Sequence, residues 1–351
     1  MEKKKNTTRR VVLIILVILL ALVLIVGIGA TIVYKSQVEP LLNRMNRVDY
    51  KTEPTKSSSE VAEILQQVGI PQQTDPTEEP TAPTDPFKPV TSIPENQHVI
   101  NVLLVGQDQR GQGEAKLSDT MILCTINKEK KTIVLTSFLR DMYVKLPNYN
   151  GMKCGRNRIN VNYALGGMGM LDQCLYENFG ITVDHNIEVN FSAFKNIVDT
   201  MGGVDIMLTK NEADHLDGRF PHLVPGMNHL NGEEALAYSR IRKIDSDFYR
   251  TSRQRNVMNA LFEKCKTMSV SELRDLAYEF LPMVTTDMSN ADIISYIAEI
   301  LPIISELRLV QQAIPAEGTY TYADKGTETQ PMYVIIPDLE ANRKILAETI
   351  G

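Results

Sequence analysis

The longest uninterrupted apolar run lies near the start of the chain. Residues 11–33 read VVLIILVILLALVLIVGIGATIV, without one charged side chain. As a helix rising about 1.5 Å per residue, this run spans roughly 34 Å, enough for a ~30 Å hydrocarbon core. Lys3, Lys4, Lys5, Arg9 and Arg10 precede it, and only Lys35 follows closely. That asymmetry predicts a cytoplasmic tail over 1–10, a transmembrane signal anchor over 11–34, and the remainder outside the cell membrane. The run is long for a cleaved leader, and no A-x-A site follows it. Residues 35–96 read as an extracytoplasmic stalk and linker. One short amphipathic helix is expected at VAEILQQVGI (61–70), and a Pro/Thr-rich stretch over 72–96 has a composition that cannot bury a core.

Beyond His98 the pattern changes to short apolar runs alternating with helical stripes. VINVLLV (99–105) predicts a buried strand. TMILCTI (120–126) and TIVLTS (132–137) flank the polar NKEKK and predict an antiparallel hairpin. NFSAFKNIVDTM (190–201) places Phe191, Phe194, Val198 and Met201 on one helical stripe, stopped by Gly202 and Gly203. VDIML (204–208) predicts another strand. NGEEALAYSR (231–240) opens with Asn231 and has Glu234 three residues on, a capping-box spacing. SELRDLAYEFL, ADIISYIAEIL and LEANRKILAETI continue the helical pattern. The expected architecture over 97–351 is α/β, with helices covering a mixed central β-sheet.

Charge and composition narrow the function. The net charge is −6, and past the first ten residues 32 basic groups face 42 acidic ones. Bulk binding to nucleic acid or anionic lipid is therefore disfavoured, and an anionic ligand must meet a local basic cluster. Cys124, Cys154, Cys174 and Cys265 are too scattered for a disulfide scaffold or a zinc site, although Cys154 and Cys174 could pair outside the cell. The absence of Trp argues against a carbohydrate-stacking lectin.

Two clusters carry candidate chemistry. Asp108 follows the first strand, Asp119 precedes the second, and Arg140 follows the third. If the second and third strands form a hairpin, all three lie at one end of the sheet. Two carboxylates there suit a hard divalent cation, and an arginine beside them suits a phosphate. Taken singly, each reads first as an ordinary strand-end polar residue, and it is their convergence that points to a site. The second cluster is YSRIRKIDSDFYRTSRQR (238–255), in which Arg240, Arg242, Lys243, Arg250, Arg253 and Arg255 crowd together in an acidic chain. A solvated face is the usual explanation for such a run. Here, however, Asp247, Arg250 and Gln254 share a face with Val257, Met258, Leu261, Phe262 and Cys265 at ~100° per residue. Polar groups on a core-facing stripe imply an ion-pair partner or a ligand. Arg253 is expected to point away, towards solvent. If residues 239–243 are extended, Arg240 and Arg242 point to one side. Together the clusters suggest a pyrophosphate or phosphodiester ligand. No P-loop or kinase motif set is present to suggest a nucleoside triphosphate.

The motifs NVLLVGQDQR, LSDTMILCTIN, LTSFLRDMYV, RINVNYALGG, VNFSAFKNIVDTMGGVDI and HLNGEEALAYSRIRK…DFYRTSRQR occur in this order. In that order they closely resemble the LytR-CpsA-Psr family, strongly over about 97–265, with the C-terminal stretch similar to the family's usual continuation. The resemblance implies a three-layer α-β-α-like domain. It also implies an envelope phosphotransferase that moves a glycopolymer, such as teichoic acid or a capsular polysaccharide, from a polyprenyl-pyrophosphate carrier to peptidoglycan. By the same resemblance, Asp108 and Asp119 are metal-associated, with Mg²⁺ or Mn²⁺ as the cofactor. Arg140, Arg240, Arg242 and Arg250 match the pyrophosphate-binding arginines, with Gln254 and Arg110 as further ligands. Asp247 matches an acidic position beside them, open between general base and orienter of the arginines. Three departures touch loop geometry: Leu117 stands where the family often has arginine, SFLRD lacks the proline before Arg140, and Arg158 stands where lysine is common.

The polyprenyl tail implies an apolar tunnel. The helix over 190–201 is one candidate lining, set against its plainer reading as core. Two other functions compete: hydrolysis of a polyprenyl pyrophosphate, which would use the same site, and non-catalytic binding of wall polymer by a regulatory membrane protein, which would not require the full arginine and aspartate set.

Overall fold

The computed structural model describes residues 38–50, 56–68, 98–107, 117–241, 244–245, 247–326 and 331–351. The expected anchor, the whole of the Pro/Thr-rich linker, Asp108, Arg110 and Arg242 lie outside these residues. Among the described residues, no helix is long and apolar enough to cross a membrane.

In chain order the elements are α1 (Glu39–Leu42), β1 (Asn46–Arg47), α2 (Ser58–Gln67), β2 (Val99–Gln107), β3 (Ser118–Asn127), β4 (Thr132–Phe138), β5 (Tyr143–Lys145), β6 (Arg156–Arg158) and α3 (Val161–Phe179). They continue with β7 (His185–Asn190), α4 (Phe191–Thr200), β8 (Val204–Leu208), α5 (Lys210–Asp217), β9 (Gly226–Leu230), α6 (Gly232–Ser239), α7 (Asp247–Thr267) and α8 (Val270–Phe280). The last are β10 (Val284–Thr286), α9 (Asn290–Ile300), β11 (Arg308–Ile314), β12 (Tyr320–Asp324), β13 (Tyr333–Pro337) and α10 (Leu339–Ile350). The strands and helices expected from the apolar pattern beyond His98 are present. The chain divides into two compact units, one built mainly from residues 187–311 and the other from 49–127, 136–186 and 312–351.

In the first unit β1 runs parallel to β10, and β10 runs antiparallel to β7, so its sheet is mixed. Helix α4 ends where Gly202 and Gly203 take positive φ of 72° and 81°, a left-handed stop that glycine adopts without strain. β8 then alternates, burying Val204, Ile206 and Leu208, and pairs with β9. The core of this unit collects Val198, Met201, Ile206, Leu230, Tyr238, Val257 and Leu261 from α4, β8, β9, α6 and α7. Val198 and Met201 are thus core residues, in line with the plainer of the two readings of this helix.

In the second unit β2 and β3 form a long antiparallel pair from Val99↔Asn127 to Gln107↔Ser118. Helix α2 has a complete capping box at Ser57 and Glu60. Its apolar positions Val61, Ile64, Leu65 and Val68 follow the i, i+3, i+4, i+7 spacing. They pack with Leu146, Val161 and Leu165. Lys56 adds hydrogen bonds to the Tyr149 hydroxyl (2.9 Å) and the Leu165 carbonyl (3.1 Å).

Two expectations are corrected here. The segment over 35–72 is not simply a stalk, because β1 joins a sheet and α2 buries its stripe in a core; the folded part begins well before His98. Cys154 and Cys174 are buried free thiols, each near a backbone carbonyl (Met152 at 3.8 Å, Lys145 at 3.7 Å) instead of one another. Burial pushes the Cys124 and Cys174 thiols up to about 12.

Candidate functional site

The second unit positions the carboxylates and one arginine. The β2–β3 register shifts at its end: Gly106 pairs with Thr120 and Gln107 with Ser118, leaving Asp119 as the extra residue of a β-bulge. Bulges of this kind re-aim the strand locally and are frequent beside active sites. Asp108 follows Gln107 directly, so each aspartate is chain-adjacent to a member of the last strand pair. The Asp119 side chain and all of Asp108 lie outside what is described.

Arg140 sits in the turn after β4. The turn is pinned by backbone hydrogen bonds: Leu139 N to Ile314 O (2.9 Å), Met142 N to Leu139 O (3.1 Å) and Ile335 N to Asp141 O (3.0 Å). The Arg140 side chain is mostly buried, and its Nε lies 3.4 Å from Asp141 Oδ2. The other Asp141 oxygen lies 3.7 Å from Arg158 Nη1. Asp141 therefore stands between two guanidinia and biases their orientation. The sequence reading did not single it out. An acid directly after Arg140, with Arg158 nearby across the β5–β6 ribbon (Tyr143↔Arg158), was the available signal.

The first unit positions the second cluster. Helix α6 starts at the Asn231–Glu234 capping box and ends at Arg240. As C-cap, Arg240 has φ −103° and ψ 0° and is exposed. It is not in an extended strand, which corrects the alternation argument for Arg240 and Arg242. The reason is that the capped helix propagates through Ser239 before it stops. Asp247 is the first residue of α7, where an acid suits the helix dipole. Arg250 is 1% exposed, among the largest fully buried side chains described, and Gln254 is partly buried one turn further on. The face carrying Arg250 and Gln254 is therefore the inward one, as the spacing predicts, with Val257 and Leu261 continuing it.

Arg253 contradicts the expectation that it faces solvent. Its side chain is only 3% exposed and is closed in a network of the first unit. Nε donates to Glu212 Oε1 (2.7 Å), and Nη1 donates to Asp245 Oδ1 (3.0 Å) and the Ile241 carbonyl (3.1 Å). Nη2 pairs with Asp245 Oδ2. The physical reason is angular. Arg253 lies about 60° from Arg250 on the helical wheel, within a core stripe wider than 100°.

Glu212 is itself the capping-box acid of α5, accepting from Thr209 N and Thr209 Oγ1, both at 2.8 Å. Burial alone would push its carboxyl up, but the Thr209 and Arg253 hydrogen bonds together hold it below the usual carboxylate range. Its contribution to stability is thus fully present above the unfolded value, about 4.3. It is lost as pH falls through the lower folded value. Tm measured between pH 6 and pH 3 should therefore fall more steeply for the natural chain than for Glu212→Gln. The two curves should converge at the acid end.

One unit thus offers the mostly buried Arg140 beside Asp141. The other unit offers an exposed arginine, a buried arginine and a glutamine on neighbouring elements. A sequence profile of the LytR_cpsA_psr family matches residues 65–339. The chain belongs to the LytR_cpsA_psr family. Among relatives, the polyisoprenyl-teichoic acid–peptidoglycan teichoic acid transferase TagU of Bacillus anthracis (strain CDC 684 / NRRL 3495) is 37% identical over 174 residues, 48% of this chain and 54% of that protein. The chain spans about half the length of the curated relatives it matches. The solved structure of TagT bound to LIIa-WTA is similar at a TM-score of 0.55 and 27% identity, covering 73% of this chain and 92% of that one. YwtF (TagT) with bound octaprenyl pyrophosphate lipid is similar at a TM-score of 0.52 and 25% identity, covering 73% and 91%. The fold agrees with this family's structures: mixed α/β, with a central mixed sheet flanked by helices. The LytR_cpsA_psr match also spans Arg140, Arg240, Arg242, Arg250 and both aspartates.

Proposed function

We propose that this chain is a membrane-anchored phosphotransferase that moves a glycopolymer from a polyprenyl-pyrophosphate carrier to peptidoglycan. The polymer is of the teichoic acid, capsular or similar wall-polysaccharide class. The observation that carries the reading is the likeness, over 73% of this chain, to a family protein holding octaprenyl pyrophosphate. TagT bound to LIIa-WTA and the name of the TagU relative support the same chemistry. The proposal includes a three-layer α-β-α-like domain preceded by a single anchor over 11–34. The N-terminus is cytoplasmic and the domain extracytoplasmic, in a Gram-positive-type envelope.

In this reading Arg140, Arg240, Arg242 and Arg250, with Gln254 and Arg110, take the oxygens of the pyrophosphate. Guanidinium forks match phosphate oxygens in bidentate fashion. A hydroxyl of peptidoglycan attacks the phosphorus nearest the polymer. The bond from that phosphorus to the bridging oxygen breaks, and polyprenyl phosphate leaves with its new charge held by arginines. Asp141 orients Arg140 for this task. Asp247 has two roles open to it in this reading: taking the proton of the attacking hydroxyl as general base, or orienting the arginines beside it in the sequence.

Asp108 and Asp119 fit a hard divalent cation, Mg²⁺ or Mn²⁺. They are oxygen donors that adjoin, in the sequence, Gln107 and Ser118 of the final β2–β3 pair, where the register shifts. When bound, such an ion would neutralise pyrophosphate charge. The full chain in detergent, given a polyprenyl-pyrophosphate-linked glycan and Mg²⁺, should release polyprenyl monophosphate. Chelation should stop release by at least ~10²-fold and added Mg²⁺ should restore it. Absence of release at saturating Mg²⁺ and peptidoglycan would remove the reading.

A further inference from the structure

We propose that Arg253, through Asp245 and the Ile241 carbonyl, is a positioning residue that holds the end of α6, with Arg240, in the geometry that receives a pyrophosphate. The inference rests on the phosphotransferase reading above and assigns a task to a side chain that the reaction does not itself use.

The connection from α6 to α7 is short, running from Arg240 to residue 246. Two of the arginines assigned to the pyrophosphate lie in it. Ile241, next to Arg240, and Asp245 are tied to one guanidinium. Ile241 gives its carbonyl to Nη1 (3.1 Å), and Asp245 takes Nη1 (3.0 Å) and Nη2 in a fork. On its other side the guanidinium is fixed by Glu212 at 2.7 Å, and Glu212 is locked in turn by Thr209 at the start of α5. The chain of contacts therefore runs from a capped helix N-terminus, through α7, into the arginine-bearing connection.

Arg253 is excluded as a ligand of the substrate by the same facts. It is 3% exposed. Its Nε, Nη1 and Nη2 are all engaged, and two carboxylates surround its single charge, so the local balance repels a phosphate. What remains is its hold on the connection. A planar fork can grip both oxygens of Asp245 and a carbonyl at once, whereas a lysine ammonium is a point charge on a flexible stem. Displacing catalytic groups by about 1 Å costs on the order of 10²-fold in rate.

The test uses the full chain in detergent micelles, with inorganic pyrophosphate as the binding probe and a short-chain polyprenyl-pyrophosphate glycan as donor. Arg253→Gln, Arg253→Lys and Asp245→Asn are compared with the natural chain, each confirmed folded by a cooperative melt above the assay temperature. The expected result is at least tenfold weaker pyrophosphate binding and a raised KM for Arg253→Gln and Asp245→Asn. Arg253→Lys should recover part of both. Faster amide exchange at 241–245 should accompany the loss. Should Arg253→Gln not fold, Asp245→Asn decides alone. Natural affinity and KM in folded Arg253→Gln or in Asp245→Asn would overturn the proposal. A natural chain that neither binds pyrophosphate nor releases polyprenyl phosphate would instead overturn the phosphotransferase reading, and the positioning role with it.

Discussion

Replacing Arg240 by Ala lowers transfer by about 10²–10³-fold and leaves the melting temperature nearly unchanged. The magnitude is that of removing one pre-positioned donor from a developing anionic centre. The fold is spared because Arg240 is exposed at the C-cap of α6. Surface substitutions away from packing usually change stability by only ~0.5 kcal/mol. Adding Arg242→Ala should abolish measurable transfer. The check is a transfer assay beside a thermal melt on the same preparation. Full transfer by the double variant would contradict the assigned role of these arginines.

Replacing Gly232 by Ala should destabilise the protein by about 3 kcal/mol, at the upper end of the usual cost of overpacking. A Cβ at Gly232 would lie 2.2 Å from the Lys195 carbonyl oxygen and 2.8 Å from Asp199 Oδ2. The nearest obstacle is backbone of α4, which cannot swing aside as a side-chain tip can. The Gly232 N–H also donates to Asp199 Oδ1 at 2.7 Å, and that bond would be strained as the helices part. Since α6 ends in Arg240, the variant should also lose activity. A calorimetric Tm lower by about 6–12 °C is expected for a cost of this size. An unchanged Tm would show that α4 and α6 can separate freely.

Much of this fold was legible because its elements announce themselves locally. The Asn231–Glu234 box, the Gly202–Gly203 stop and the 204–208 alternation each have a single physical reading, and each is present. The face of α7 that carries Arg250 was legible for the same reason. The stripe of Val257 and Leu261 continues through it, and tertiary packing follows the stripe. Other features were not local. The bulge at Asp119 is a property of the pairing between two strands, and neither strand shows it alone. The burial of α2 depends on partners such as Leu146 and Leu165, about a hundred residues away in the chain. Arg253 shows the limit of a local pattern: a charged residue at the edge of an apolar stripe looks solvated until its carboxylates are found. Glu212 lies 41 positions away, on another helix. The condition that 239–243 is extended fails at Arg240, because the helix that the capping box starts runs on to its C-cap there.

The central claim is that the phosphorus nearest the polymer moves to a peptidoglycan hydroxyl. Its most direct test is the product linkage. The full chain is incubated with a polyprenyl-pyrophosphate glycan, peptidoglycan oligomers and Mg²⁺, and the muramidase digest is examined by mass spectrometry. The account predicts muropeptides joined to the glycan through one phosphodiester, with polyprenyl monophosphate released in equal amount. Free phosphorylated glycan with unmodified muropeptides, at the same yield of polyprenyl monophosphate, would mean that water is the acceptor and would contradict it.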